Sequence, residues 1–314
     1  MEHRHRLEDR TPEPGRVWID LAEPDEAAIA RTEALTGLAL PSCADLREVE
    51  RSSRLRRQQD ALVLSTPMVS FDGTPGLHPL GFVLARDRLV TLRFQALPPF
   101  AAVARRQAEP DGPRTSTALF GALLAELVDA LADRLEAMSD ALDALSGRVF
   151  DFDLGRGGAP KRRDRALRQI LGEVGRSGKA LSMLRAALLG LGRIVPFVAA
   201  EAEPWLSPEE RTHLEILRLD IVSLEEFETR LSETVQFLLD ATLGLVNMEQ
   251  NNTFRVLTVV SVIGIPPTLV ASIYGMNFKT MPELDWTWGY PYGLALIALS
   301  ALAPALYFRV KGWF

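Results

Sequence analysis

Two stretches without a charged side chain, Val256–Phe278 and Trp286–Phe308, constrain this chain more than any other feature. Each is about 23 residues long, and a helix needs roughly 20 apolar residues to cross the hydrocarbon core of a bilayer. From Val256 onward the only charged side chains are Lys279, Glu283, Asp285, Arg309 and Lys311, whereas the chain up to about Gln250 is charge-rich. The expected architecture is therefore a large water-facing domain on a two-span anchor. Trp286, Trp288, Tyr290 and Tyr292 at one end of the second stretch, with Tyr307 and Trp313 at the other, stand where aromatic belts form. Two crossings return the chain to the side it left. Arg309 and Lys311 close the second one, so the positive-inside bias places the C-terminus in the cytoplasm together with the N-terminal domain. The loop between the spans is then external, and Glu283 and Asp285 against Lys279 give it a net negative mouth.

Composition narrows the function further. A net charge of −6 over 314 residues argues against nucleic acid as a partner, because phosphate binding needs a concentrated basic surface. The single cysteine, Cys43, excludes an internal disulfide framework and a thiolate zinc site. His3, His5, His78 and His213 are scattered with no nucleophile beside them, so no enzyme and no organic cofactor are expected. The glycines of Gly155–Pro160, GRGGAP, are not followed by the Gly-Lys-Ser/Thr of a phosphate-binding loop and read as a turn. The amino terminus, MEHRHRLEDR, lacks the apolar core of a secretory signal, which again points to a cytoplasmic N-terminal domain.

Within that domain the run at Val17–Leu21 reads as a strand, and Glu23-Pro24-Asp25 opens a helical segment. Further strand-like runs start at Ala61, Leu80 and Leu89, which together predict a mixed sheet in the first hundred or so residues. Thr115–Phe150 reads as one long helix, with Glu126, Asp129, Asp133 and Glu136 opposite a leucine and alanine face, and Lys161–Leu191 as a second. Ser207 followed by Pro208-Glu209-Glu210 is a helix start, and no proline intervenes before Pro266. Leu214, Leu217, Ile221, Leu224, Phe227, Leu231, Val235, Leu238, Thr242 and Leu245 step along this helix by threes and fours. Such a seam predicts a stalk that packs along its length and offers an oligomerising surface.

The first span carries Asn251, Phe254, Thr258, Ser261, Ile265, Thr268, Ser272 and Gly275 at alternating steps of three and four, one face of small, oxygen-bearing or cavity-forming groups. Ser and Thr in such a face commonly bond back to their own helix or pack helix against helix. Asn277 fits that use less well, and the carbonyls freed by Pro266-Pro267 need a protein or water partner. Two helices enclose no pore. Conduction along this face therefore requires several copies around an axis, and with no carboxylate inside either span an ion would pass neutral oxygens with much of its water retained.

Tyr274-Gly275-Met276-Asn277-Phe278, Met281-Pro282-Glu283-Leu284 and Trp288-Gly289-Tyr290-Pro291 resemble the CorA family of magnesium and cobalt transporters. The resemblance extends back through Phe237–Ala241 and Asn247–Asn251, and in the N-terminal domain to the surroundings of Trp18-Ile19-Asp20. It implies an α+β membrane protein: an α/β/α cytoplasmic funnel domain over residues 1–200, a stalk helix over 205–253 and a pore-lining span over 254–278. An external loop over 279–287, a second span over 288–308 and a basic cytoplasmic tail over 309–314 complete it.

As a partner the resemblance implies the chain itself, in a homopentamer in the inner (plasma) membrane. As cargo and regulator it implies Mg2+, with Co2+ and Ni2+ also carried inward under the membrane potential. Gly275, Met276 and Asn277 would form the selectivity filter, with Asn251, Ser261, Thr268 and Ser272 as polar pore lining. Phe254, Leu257 and Ile265 would form the hydrophobic gate, where the family often has methionine at two of these places. An aspartate that members use to sense cytoplasmic magnesium falls by register on Ile216, leaving Asp220 and Glu215 as candidates. Two alternatives stay open: a zinc transporter of the related subfamily, and a membrane-anchored sensor that conducts nothing.

Overall fold

The structure is a computed structural model and describes residues 17–48, 54–71, 76–151, 160–277 and 281–313. The amino-terminal decapeptide with His3 and His5, Gly155–Ala159 of the predicted turn, and Phe278 and Lys279 lie outside the described residues. The chain divides into two compact units, one built from residues up to Asp151 with Ile170–Leu239, the other from Phe152–Gln169 with Asp240–Phe314.

In the first unit, strands β1 (Trp18–Ala22), β2 (Leu55–Gln58), β3 (Ala61–Val69), β4 (Leu77–Ala85) and β5 (Leu89–Arg93) form one sheet in the order β1-β5-β4-β3-β2. β1 runs parallel to β5 and every other pairing is antiparallel, the mixed sheet that the sequence predicts. β3, β4 and β5 are nearly continuous apolar runs because both of their faces are covered. On one face Ala61, Val63, Val83, Ala85, Val90 and Leu92 pack with Leu40 and Leu46 and with Ile29 of helix α1 (Glu26–Thr36). Leu46 belongs to the short helix α2 (Cys43–Arg47), and a Cβ on Gly81 would run into its side chain.

On the other face Phe82 meets Phe120 edge-on at 5.4 Å between ring centres. Phe120 belongs to α4 (Ser116–Phe150), which follows α3 (Pro98–Gln107) and is capped by the Thr115 hydroxyl accepting from the Ala118 amide. Helix α5 (Pro160–Glu201) approaches this face closely enough that a Cβ on Gly190 would overlap the Thr66 hydroxyl. Helices on both sides of a central sheet make the first unit an α/β/α layer structure. α5 runs ten residues past the predicted Leu191 end, through Pro196, because Ile194, Val195 and Val198 stay buried.

At the β1–β5 edge Asp20 accepts from Thr91 Oγ1 at 2.8 Å and pairs with Arg93 Nε at 3.0 Å. Burial pushes the Asp20 carboxyl above its ordinary range more than the Arg93 charge draws it down.

Helix α6 (Pro208–Tyr274) starts as the sequence predicts, with Ser207 and Glu210 exchanging side-chain and backbone hydrogen bonds in a capping box. Glu210 also accepts from the Thr115 and Thr117 hydroxyls, at 2.9 and 2.6 Å, and so ties the starts of α4 and α6 together. Along α6 the predicted seam is real, but its use differs from the expectation. Leu214, Leu217, Ile221, Leu231 and Leu238 are buried within the chain itself, so the seam is consumed by the fold rather than offered to a partner. Other apolar side chains of this helix, among them Ile216, Leu219, Phe237, Leu243 and Met248, are the exposed ones.

Among the described residues, three helices are long and apolar enough to cross a membrane: Asp164–Glu201, Pro208–Tyr274 and Gly289–Val310. The apolar window of the first is 44% buried inside the protein, against 6% for each of the other two. The first is thus a core helix that happens to be apolar, and the two remaining helices carry the predicted spans.

Candidate ion-conduction face

The candidate site lies within the second unit, on the last seven or so turns of α6. This helix stays continuous through Pro266 and Pro267 and ends at Tyr274. Each proline lacks the amide that would bond four residues back, which leaves the carbonyls of Val262 and Ile263 without their helical donors. Past the helix the Gly275 amide donates to the Ala271 carbonyl at 2.9 Å and the Met276 amide to Ile273 at 3.2 Å. A Cβ on Gly275 would stand 3.2 Å from the Ala271 oxygen, so this exit is tight for any larger residue. Asn277 follows, exposed and outside the helix rather than within it as a span reaching residue 278 predicts.

Burial divides α6 into two faces. Val259 is 6% exposed and Ile263, Pro266, Pro267, Val270 and Tyr274 are half-buried, one stripe at helical spacing. Phe254, Leu257 and Ile265 are 66%, 61% and 64% exposed, and Asn251, Thr268 and Ser272 are open as well, while Ser261 is half-buried. At roughly 100° per residue these positions centre about half a turn away from the Val259 stripe. The face carrying Thr268 and Ser272 therefore lies within the broad surface that the chain's own packing leaves uncovered, which also takes in Val256, Val260 and Leu269 at 62%, 63% and 59% exposure.

This open face is concave. Val260, Ser261, Gly264, Ile265, Thr268, Leu269 and Ser272 line a groove of about 540 Å³. Three of the eight candidate pore residues, Ser261, Thr268 and Ser272, supply hydroxyls there. The Thr268 hydroxyl donates to the Gly264 carbonyl at 2.8 Å and that of Ser272 to the Thr268 carbonyl at 2.7 Å, and Thr258 does the same to Phe254 at 2.8 Å. Their protons are thus spent inside the helix, and what they can offer an ion's hydration shell is oxygen lone pairs. Gly264, which the sequence reading passed over, opens the groove by having no side chain. Its spacing of four before Thr268 was the available signal.

The connection between the spans folds into a short 3-10 turn, Pro282–Asp285, before α7 (Gly289–Val310). A Cβ on Gly289 would overlap the Glu283 carbonyl oxygen, so glycine there permits the turn to close on the helix start. Asp285 is exposed and Glu283 half-buried. Trp286 and Trp288 precede α7, which starts one residue after the predicted beginning of the second span at 288. α7 has its own less exposed stripe of mostly small residues, Gly293, Ser300, Ala301, Pro304 and Ala305, ending at buried Phe308, of the kind that lets membrane helices approach closely.

Asp220 and Glu215 are not brought together. Five residues apart on one helix, they point roughly 140° from each other. Glu215 is taken by Arg218 through three contacts of 2.6 to 3.1 Å, and hydrogen bonding from that guanidinium lowers its carboxyl below the usual range. Asp220 is exposed and adds to the negative field around Asp129, whose carboxyl is raised by burial and then by Glu126, Asp133 and Asp220. Among the described residues no group of three or more His, Cys, Asp or Glu is placed to hold a metal ion.

Comparison with known proteins bears on these features. Residues 14–310 match the family described as CorA-like Mg2+ transporter protein. The chain is 34% identical over 315 residues to the magnesium transport protein CorA of Escherichia coli (strain K12), covering 99% of this chain and 96% of that one. It is equally 34% identical over 302 residues to the protein of that name from Yersinia pseudotuberculosis serotype I, covering 95% and 92%. The complete structure of the CorA magnesium transporter from Methanocaldococcus jannaschii shares the fold, with a TM-score of 0.72 at 20% identity over 98% of this chain and 95% of that one. A sheet-bearing N-terminal domain, long helices, two helices able to span a membrane and a family match across nearly the whole length agree, and the chain belongs to the CorA-like Mg2+ transporter family.

Proposed function

We propose that this protein is a divalent-cation influx channel for Mg2+, able also to carry Co2+ and Ni2+, and that it works as a homopentamer in the inner membrane with both termini in the cytoplasm. The observation that carries this reading is the division of α6 into a buried stripe and an open, oxygen-bearing face opposite it. A single chain leaves that face uncovered, and copies arranged around an axis would turn it toward a shared lumen. The name carried by the Escherichia coli and Yersinia relatives supports magnesium as the cargo.

In this reading Gly275, Met276 and Asn277 form the outer ring, where neutral amide oxygens receive a hydrated ion. Dehydrating Mg2+ is costly, so a ring that bonds its bound water rather than the metal suits this cation. Glu283 and Asp285 raise the local cation concentration at the mouth. Asn251, Ser261, Thr268 and Ser272 continue the polar path, and Phe254, Leu257 and Ile265 narrow it with side chains that expel water when the channel is shut. Entry of a divalent ion is driven by about 4.6 kcal/mol per 100 mV of inside-negative potential, twice the value for one charge, so no nucleotide is needed. Cytoplasmic Mg2+ closes the channel through ligands that copies of the chain supply jointly.

The test is magnesium influx into proteoliposomes under an inside-negative potential, read with an internal dye, for the wild type and for Asn277→Ala. Influx by the wild type and its loss in the variant are expected. Equal influx in both would overturn the role of Asn277, and zinc flux without magnesium flux would favour the zinc reading. A wild type that moves no divalent ion would leave a membrane-anchored sensor.

A further inference from the structure

Five cations crowd one short segment of a chain whose net charge is −6: Lys161, Arg162, Arg163, Arg165 and Arg168, against the single acid Asp164. This start of α5 belongs to the same compact unit as α7 and the part of α6 from Asp240 onward, not to the unit that holds the sheet. Leu167 is buried while Arg165 and Arg168 are exposed, so the segment is amphipathic with a basic outer face. Arg168 makes an exposed pair with Asp164 at 3.1 Å, which neutralises little. Among the described residues no ion pair engages Arg165, Arg255, Arg309 or Lys311.

The end of α7 adds a second observation. Gly312 adopts φ 69°, a left-handed conformation, and the Trp313 amide donates back to the Phe308 carbonyl at 3.0 Å. The turn stacks the Trp313 ring on Phe308 at 5.1 Å, while Lys311 lies over the Tyr307 ring at 5.7 Å. An indole fixed at a helix end that also carries two exposed cations, Arg309 and Lys311, is the arrangement that anchors at the headgroup level of a bilayer. A segment with five cations cannot enter hydrocarbon, so the start of α5 stays in water.

We infer that the exposed cations of this unit, Arg165 and Arg168 with Arg255, Arg309 and Lys311, bind the headgroups of anionic lipids in the leaflet that faces the cytoplasm. The inference rests on the two-span reading above and adds a lipid partner to it. Clustered Lys and Arg next to a membrane span attract such headgroups, each charge strengthening the attraction by about fivefold, and salt screens it.

The experiment uses the full chain in bilayers of phosphatidylcholine with and without phosphatidylglycerol, followed by native mass spectrometry of lipids retained through detergent exchange. Wild type is expected to retain phosphatidylglycerol in preference to phosphatidylcholine, the preference weakening at high salt. Arg165→Gln with Arg168→Gln is expected to cut that retention by about tenfold or more, and adding Arg309→Gln and Lys311→Gln to remove it. Arg176→Gln with Lys179→Gln, exposed cations of the other unit, is the control and keeps the preference. Equal retention of the two lipids by wild type, or unchanged retention in the first double variant, would overturn the inference while leaving magnesium transport intact. A wild type extracted from the bilayer by alkaline carbonate would overturn the two-span reading and this inference together.

Discussion

Val259 and Thr268 stand half a turn apart on the same helix, and Val259 is 6% exposed while Thr268 opens on the groove with its hydroxyl bonded to Gly264. In the proposed channel the two positions separate packing from conduction. Thr268→Trp fills the groove and is expected to lower magnesium uptake about tenfold or more by blocking the lumen, without reducing the amount of protein in the membrane. Val259→Asp puts an unpaired carboxylate on the packed stripe, at a cost of about 3 kcal/mol within a span, and is expected to lower the amount of folded protein. Quantitative blotting of membranes beside isotope uptake reads both effects at once.

The gate makes a prediction of opposite sign. Phe254 and Leu257 are both more than half exposed, so in the proposed channel truncating them removes bulk from the lumen rather than from the fold. Phe254→Ala and Leu257→Ala are each expected to raise basal uptake in cells already replete with magnesium, because a wider apolar ring holds water more readily. Uptake that stays at the wild-type level in both variants would place the constriction elsewhere.

Glu210 tests the architecture of the first unit. Partial burial pushes its carboxyl up, but hydrogen bonds from Thr117, the Ser207 amide, Thr115 and the Ser207 hydroxyl outweigh this, and the net shift is downward. A depressed acid contributes stability that is present above its unfolded value, about 4.3, and is lost as pH falls through the folded one. Glu210→Ala is expected to destabilise the protein by about 1–3 kcal/mol through loss of a cap and two charge-assisted hydrogen bonds. Thermal unfolding should show the variant and wild type converging only under acid conditions.

Asp20 and Arg93 predict a different pattern. With the Arg93 side chain 9% exposed, Asp20→Asn leaves a buried guanidinium without its counter-charge, costing about 3 kcal/mol, the low end for a broken buried pair. Replacing both, Asp20→Leu with Arg93→Met, is expected to recover most of the loss. Chemical denaturation of the single and double variants checks this.

Much of this was legible in the sequence, for identifiable physical reasons. The helices announced themselves in different ways: α6 through its Ser207 cap with Glu210, α1 through the Glu23-Pro24-Asp25 start, and α4 through its leucine and alanine face. The buried strands β3 to β5 stood out as apolar runs. β2 and α2 did not, because LRRQ has no run to detect and α2 is a five-residue helix held by its Ser42–Asp45 capping box. The stalk seam shows the limit of periodicity: the spacing of Leu214, Leu217 and Ile221 says that a face is buried, not whether its cover is the same chain or another. The open face from Asn251 to Ser272 was found by residue type, and only three-dimensional burial shows that it lies opposite the packed stripe.

The most direct test of the account is accessibility of that face during conduction, read by introducing cysteine at each of two positions in a Cys43→Ser background. With Thr268→Cys, a membrane-impermeant, positively charged thiol reagent is expected to label the protein and block magnesium influx into proteoliposomes. With Val259→Cys, neither labelling nor block is expected. Labelling and block at 259 with an inert 268 would contradict the assignment of the open face of α6 as the ion path.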